Sequence, residues 1–321
     1  MKLPQYYKLL AILASVVMRT SNALANLNPR KTALISGSTD GIGLTTAKNL
    51  ALKGYTTIIH GRNPERIQKA VATIQSFADV PKDRIFTVES DISTVQGCKL
   101  LTDKVKSILK TNNLSLDLLM NNAGVFEPEH VLTEDHLEMT FAVNVMAPFL
   151  ITSNLLPELL SPNKMGQSRV VIASSMSQCR WIDDWDDLQF LERSYSTHRA
   201  YSESKRFDAM LAAEFATLFT NAGFGTDRIT CNSLDPGTVN TKMLLAGWGP
   251  CGINVEDALD ETWLCTSEDV SDVSGAYFCW KSVSKKADAY KTSERKKLWK
   301  VLSDIDPEAA SKWDTRSLQS L

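Results

Sequence analysis

Apolar and polar positions alternate in short blocks along this chain, and the blocks fall into a regular order. Lys31 to Ser36 is a short, mostly apolar run, and it leads directly into the glycine-rich turn of KTALISGSTDGIG. Such a run reads as a buried strand, and Gly37, Gly41 and Gly43 let the backbone turn sharply into a helix. Ile42 to Lys53 has helical spacing and Gly54 stops it; Tyr55 to His60 is the next strand, ending at Gly61-Arg62-Asn63. Strand, helix, strand of this length is a βαβ unit.

The same alternation continues. Helices are predicted over Pro64 to Phe77, Thr94 to Leu109, Leu132 to Leu156 and Ala200 to Phe219, and strands over Arg84 to Glu89, Leu116 to Met120, Ser168 to Ala173 and Arg228 to Ser233. From Val239 to about Ala258 the pattern breaks at Gly247, Gly249, Pro250 and Gly252, as in a loop over a substrate or an irregular dimer contact. Glu256 to Cys265 reads as a helix, Gly275 to Trp280 as a last strand, Thr292 to Val301 as a charged helix, and residues from Pro307 as a surface tail. The expected product is an α/β fold, a doubly wound, mostly parallel sheet in a single domain. Its parts are residues 1–27 as an extension, 28–306 as the catalytic domain with a loop at about 239–260, and 307–321 as a tail.

The extension is ambiguous. Lys2 and Lys8 precede the apolar run Leu9 to Met18, and Ala23-Leu24-Ala25 has the small-x-small form of a cleavage site. A run of this length, closed by Arg19, is below the roughly 20 residues that span a bilayer. A cleaved signal, a helix lying on a membrane face and a helix packed on the domain all fit.

Composition narrows the classes. With 35 basic and 37 acidic residues and a formal charge of −2, there is no concentrated positive surface to expect nucleic acid as a partner. Six scattered cysteines without a CxxC pair favour a reducing compartment, so cytoplasm or the cytosolic face of a membrane is expected over secretion. Four histidines without HExxH spacing give no support for a metal site.

Candidate chemistry lies at the predicted strand ends. The N–H groups opening the first helix suit a pyrophosphate. An acidic residue after the second strand would receive a ribose diol, whereas Arg62 there suits a 2′-phosphate, so NADP(H) is preferred over NAD(H). Asp91 follows the third strand and either contacts adenine or caps the next helix; Asn121-Asn122-Ala123-Gly124 closes the fourth. Tyr201 and Lys205, four apart, share a helix face, where an ammonium stabilises the phenolate, lowers the pKa of the phenol and equips it for proton transfer. Ser175 can hold a substrate oxygen, and Asn144, on an apolar face, needs a partner and can position a water toward Lys205. Ser175 lacks a GxSxG elbow and Cys179 an acid–base partner, so neither reads as a hydrolytic nucleophile.

In this order the motifs resemble those of the short-chain dehydrogenase/reductase family, from about residue 30 to 280. TGxxxGIG matches Ser36 to Gly43, with Ser36 in place of threonine; NNAG matches Asn121 to Gly124; the asparagine, serine and YxxxK positions match Asn144, Ser175 and Tyr201 to Lys205; PG matches Pro236-Gly237. The resemblance implies a Rossmann-type fold, catalysis by Asn144, Ser175, Tyr201 and Lys205, and Ser175 rather than Ser174 facing the substrate. It also implies cofactor contacts from Gly37, Ser38, Asp40, Gly41, Ile42, Gly43, Arg62, Asp91, Asn122, Ala123, Gly124, Tyr201, Lys205, Pro236, Gly237, Val239 and Thr241. Residues 176–200 form a long insert similar to that of retinol dehydrogenase-like, WW-domain oxidoreductase-like and protochlorophyllide reductase-like members, whose substrates are lipophilic alcohols or carbonyls. Trp181, Ile182, Trp185 and Phe190 then line a substrate cleft, or pack the insert while Asp183, Asp184, Asp186 and Asp187 face water. The expected activity is NADP(H)-dependent interconversion of an alcohol and a carbonyl, in a homodimer or a monomer. A cofactor-binding scaffold and a related epimerase or dehydratase are the alternatives.

Overall fold

A computed structural model describes residues 30–78, 80–161, 164, 166–285 and 290–321; the expectations for residues 1–27 lie outside them. Among the described residues seven strands run parallel, β1 (Thr32–Ile35), β2 (Thr56–Gly61), β3 (Ile85–Glu89), β4 (Leu118–Asn121), β5 (Ser168–Ala173), β6 (Ile229–Leu234) and β7 (Tyr277–Cys279). The short β8 (Ser282–Val283) pairs antiparallel with β7, and the sheet order is β3-β2-β1-β4-β5-β6-β7-β8. The direction of winding reverses between β1 and β4, so a crevice opens at their C-terminal ends, where ligands of doubly wound sheets bind.

Helices cover both faces. On one side lie α1 (Gly41–Leu52) and α2 (Pro64–Ala78); on the other lies α3 (Val95–Thr111). Because both faces are covered, β1, β2, β4, β5 and β6 are buried at every position. Asp40 accepts the Gly41 N–H at the start of α1 and Thr94 that of Gly97 at the start of α3. Thr94, not Asp91, is therefore the cap of α3, while Asp91 Oδ1 accepts the Ser93 N–H at 3.1 Å.

The helix predicted over Leu132 to Leu156 begins later and is interrupted. It comprises α4 (Met139–Phe141), a π-helical turn at Ala142–Met146, α5 (Ala147–Asn154) and α6 (Leu156–Leu159). Leu132 instead bridges Glu138 in a small antiparallel loop, and the Glu138 carboxylate caps α4 through the N–H groups of Thr140 and Phe141. After the insert comes α7 (Thr197–Asn221), then α8 (Lys242–Gly247) and α9 (Asp260–Thr266).

The C-terminal segment corrects an expectation. Helix α10 (Thr292–Ile305) is followed by α11 (Pro307–Ser311) and α12 (Thr315–Gln319), so the chain beyond Pro307 is not a surface tail. Trp313 is 3% exposed, stacks on Phe215 at 4.2 Å between ring centroids and donates from Nε1 to Ser153 Oγ at 2.7 Å. Leu318 is fully buried. One tryptophan and one leucine in a polar stretch are too sparse to show periodicity, yet they anchor these last helices to α5 and α7.

Candidate active site

The glycine turn is held from beneath and from the side. Asn122 Nδ2 donates to Ser36 O at 2.8 Å and Gly37 O at 3.1 Å, while Ser36 Oγ accepts from the N–H groups of Asn122 and Ala123 at 3.1 and 3.0 Å. A Cβ on Gly43 would lie 2.3 Å from Asn122 Nδ2, which explains why glycine is required where α1 passes the end of β4. Gly37 and Gly41 have φ of +64° and +55°. Ser38 is buried under the turn, its hydroxyl bonded to Ile35 O and to the His60 N–H, and does not reach the crevice. Its expected role as a direct cofactor contact is replaced by support of the turn.

His60 was missed by sequence reasoning. Its Nδ1 accepts the Gly37 N–H at 3.1 Å and its Nε2 faces Ser90 O at 3.2 Å, an arrangement for a neutral ring. Burial pushes its pKa down to about 4. A histidine ending an apolar strand beside the glycine turn was the available signal.

The crevice has a volume of about 640 Å³. It is lined by Gly37, Asp40, Gly41, Ile42, Gly43, Arg62, Asp91, Asn122, Ala123, Gly124, Ser175, Tyr201, Lys205, Pro236, Gly237, Val239 and Thr241. The strand ends thus converge as predicted, and Ser38 and Asn144 are the two expected site residues outside the lining. At the mouth, Asp40 Oδ2 bonds Arg66 at 3.0 Å and Lys242 Nζ at 2.6 Å, with Arg62 exposed nearby in the same lining. A dinucleotide fits this surface. Gly237, φ +88°, has nothing within 4 Å of where a Cβ would stand, so the backbone there is open to close approach by a ligand. The cationic side chains at the mouth suit phosphates.

At the inner end, Tyr201 and Lys205 project from α7 beside the end of β5. Lys205 Nζ lies 5.7 Å from the Tyr201 ring centroid and donates to Ala173 O and Asp208 Oδ2, each at 2.8 Å. Burial raises the pKa of Tyr201; Lys205 and a hydrogen bond with the Ser175 side chain oppose it without overcoming it. The expected lowering is therefore present as a contribution, and desolvation outweighs it. Ser174 and Ser175 both border the crevice; the Ser174 hydroxyl is taken up by Lys205 O at 2.6 Å and Gln178 Nε2 at 3.0 Å, whereas the Ser175 side chain bonds Tyr201.

Asn144 sits in the π-helical turn, a local widening that recurs at functional sites. Its Oδ1 accepts the Val125 N–H at 2.8 Å, and its two amide hydrogens go to Val125 O at 3.1 Å and Ser204 Oγ at 2.9 Å. Both donors are engaged in holding the loop after β4 against α7. What remains toward Lys205 is the oxygen: a Cβ on Gly124 would be 3.4 Å from Asn144 Oδ1 and 3.6 Å from Lys205 Nζ.

The insert packs on itself. Ile182 and Phe190 are buried, Trp185 packs against Phe207, and Trp181 is 58% exposed; none lines the crevice. Asp183, Asp184 and Asp186 face water, but Asp187 is buried and accepts the N–H groups of Leu191, Glu192 and Arg193. Glu203 ties the insert to α7 by accepting from both Arg193 and Arg199 at 2.8 Å. Tyr195 bonds Glu127 O at 2.8 Å, away from the lining, and burial raises the Cys179 thiol to about 11.

The apolar wall comes from elsewhere. Trp248, just past α8, packs 4.8 Å from Phe126, 5.0 Å from His198 and 5.8 Å from Tyr201 between ring centroids. The excursion around residues 239–260 therefore covers the crevice, with Leu244 and Trp248 in its lining. Among the described residues no group of His, Cys, Asp and Glu is placed to hold a metal ion, and no helix is long and apolar enough to cross a membrane.

Parallel strands, a glycine turn at the reversal point and a tyrosine–lysine pair at the inner end define an α/β protein of the Rossmann type with a crevice at its strand ends. Residues 31–184 match the short chain dehydrogenase family model. Human retinol dehydrogenase 14 is 30% identical over 298 residues, 84% of each chain, and human polyprenol dehydrogenase is 30% identical over 262 residues, 78% of this chain and 76% of that one. A short chain dehydrogenase from Burkholderia cenocepacia, solved in complex with NADP, superposes with a TM-score of 0.58 at 21% identity, covering 77% of this chain and 95% of that one. The chain belongs to the short-chain dehydrogenase/reductase family, a family of oxidoreductases acting on small molecules.

Proposed function

We propose that this protein is an NADP(H)-dependent oxidoreductase that interconverts a lipophilic alcohol and its carbonyl, with Tyr201 as the proton donor and acceptor. The observation that carries the reading is the placement of the Tyr201 phenol in the crevice with the Ser175 hydroxyl and the Lys205 ammonium beside it. In reduction, the hydroxyl of Ser175 stabilises the oxygen as negative charge develops there, and Tyr201 gives that oxygen its proton. Lys205 then stabilises the phenolate left behind, and proton uptake restores the phenol. A bound nicotinamide supplies the hydride that no side chain can provide. Oxidation runs the same transfers in reverse.

Arg62, with Arg66 and Lys242 at the mouth, supports preference for the 2′-phosphate of NADP(H). Leu244 and Trp248 in the lining, the latter backed by Phe126, support an apolar substrate, as do the names of the retinol and polyprenol relatives. The test is purified protein with NADPH or NADH and a panel of aliphatic, aromatic and isoprenoid carbonyls, with products identified. Carbonyl-dependent NADPH consumption yielding the alcohol, at higher kcat/KM than with NADH, is expected. Tight cofactor binding without turnover would point to the scaffold, and a product without net reduction to an epimerase or dehydratase.

A further inference from the structure

We propose that Asp208 is a positioning residue of this reaction: its buried carboxylate, bonded to Lys205 Nζ, offsets the field that the ammonium exerts on Tyr201 and sets the site toward carbonyl reduction. The inference rests on the reading of Tyr201 as the proton donor. Asp208 stands one turn beyond Lys205 on α7, is fully buried and lies 2.8 Å from the ammonium through Oδ2. Its Oδ1 has no hydrogen-bond partner among the described residues. A buried carboxylate so sparsely bonded is costly, and a neutral side chain of the same shape would also accept from Lys205. What the neutral side chain would lack is charge.

Other groups face the same place. Tyr201 and Lys205 come from α7, Ser175 from the end of β5, Asp235 from the end of β6 and Glu261 from α9, where its Oε2 accepts from Thr46 at 2.9 Å. The Lys205 ammonium spends two of its three N–H groups on Ala173 O and Asp208, which fixes its orientation. Burial holds the Asp208 carboxyl up at about 7 even against the pull of Lys205. An ionised Asp208 opposes loss of the Tyr201 proton, whereas a protonated one leaves the ammonium's effect on the phenol unopposed. Above neutral pH, where the Asp208 carboxylate is ionised, the pair therefore favours the form of the phenol that donates.

The test is Asp208→Asn in the full chain, with Asp208→Ser as a second variant should the first not fold. Tyrosine labelled at Cζ is titrated by NMR, with Tyr201→Phe assigning the signal, and kcat for alcohol oxidation is measured against pH. Removing the charge is expected to move the Tyr201 titration, and the rising limb of oxidation, down by about one pH unit. An unmoved or upward-shifted titration in a folded variant overturns the proposal. The labelled-tyrosine titration does not depend on turnover, so it separates this outcome from failure of the proton-donor reading, which wild-type turnover in Tyr201→Phe would reveal.

Discussion

Gly43→Ala probes the joint on which the crevice is built. The added methyl would lie 2.3 Å from Asn122 Nδ2 and 2.7 Å from Gly37 O, and these two atoms are themselves bonded partners. Asn122 cannot swing aside without surrendering its bonds to Ser36 O and Gly37 O, each worth about 0.5–1.5 kcal/mol. Overpacking adds about 1–3 kcal/mol. Replacing glycine in a helix returns up to about 1 kcal/mol, so the net loss of stability is on the order of 2–3 kcal/mol. Gly223→Ala is the control: φ there is +89° and nothing lies within 4 Å, so backbone strain of about 1–2 kcal/mol is its whole cost. Urea unfolding gives the stabilities, and titration with NADPH followed by fluorescence gives affinity. Gly43→Ala should lose both stability and at least tenfold in affinity, while Gly223→Ala keeps its affinity. A Gly43→Ala protein that binds NADPH as tightly as wild type would refute the claim that the Asn122 clamp shapes the cofactor site.

Two further predictions concern stability. Trp313→Ala removes a buried indole stacked on Phe215 and should cost about 3–5 kcal/mol in urea unfolding; a loss below about 1 kcal/mol would show that the last helices contribute little to the fold. His60, neutral in the fold with a pKa near 4 against an ordinary 6.5, is protonated first in the unfolded chain, so its contribution is fully present above about pH 6.5 and lost as pH falls through about 4. The loss amounts to about 3 kcal/mol. Asp208 and Glu261, raised to about 7, act with the opposite sign, since the folded state takes up their protons first and gains stability as pH falls. The stability gap between wild type and His60→Gln is therefore the quantity to follow, and it should narrow between pH 6.5 and 4.5; a constant gap would contradict the neutral assignment.

The sheet was legible because its strands are buried on both faces and several carry short apolar runs, such as ALI in β1 and VVIA in β5. The inner site was legible for a related reason: strand ends and one helix face place Ser175, Tyr201 and Lys205 by geometry that short motifs encode. What escaped depends on long-range packing. Leu132 to Glu138 has helical spacing but closes as a loop, because Glu138 spends its carboxylate on the start of α4. The aromatic residues of the insert look like a cleft wall, yet the packing partner of Trp185 is Phe207, and it is Trp248, backed by Phe126 more than a hundred residues earlier in the chain, that lines the crevice instead. Asp208 lies within the same helix as the tyrosine–lysine pair, but its importance comes from burial, which the spacing alone does not reveal.

In the proposed reaction Tyr201 passes a proton while hydride moves between cofactor and substrate carbon. The test is to incubate the protein with NADPH deuterated at both C4 positions and a reducible carbonyl, then to locate the label by mass spectrometry. One deuterium is expected on the alcohol carbon, with formation of that product falling about 10²- to 10⁴-fold in Tyr201→Phe as NADPH affinity holds. Label absent from that carbon, or wild-type product formation by Tyr201→Phe, would contradict it.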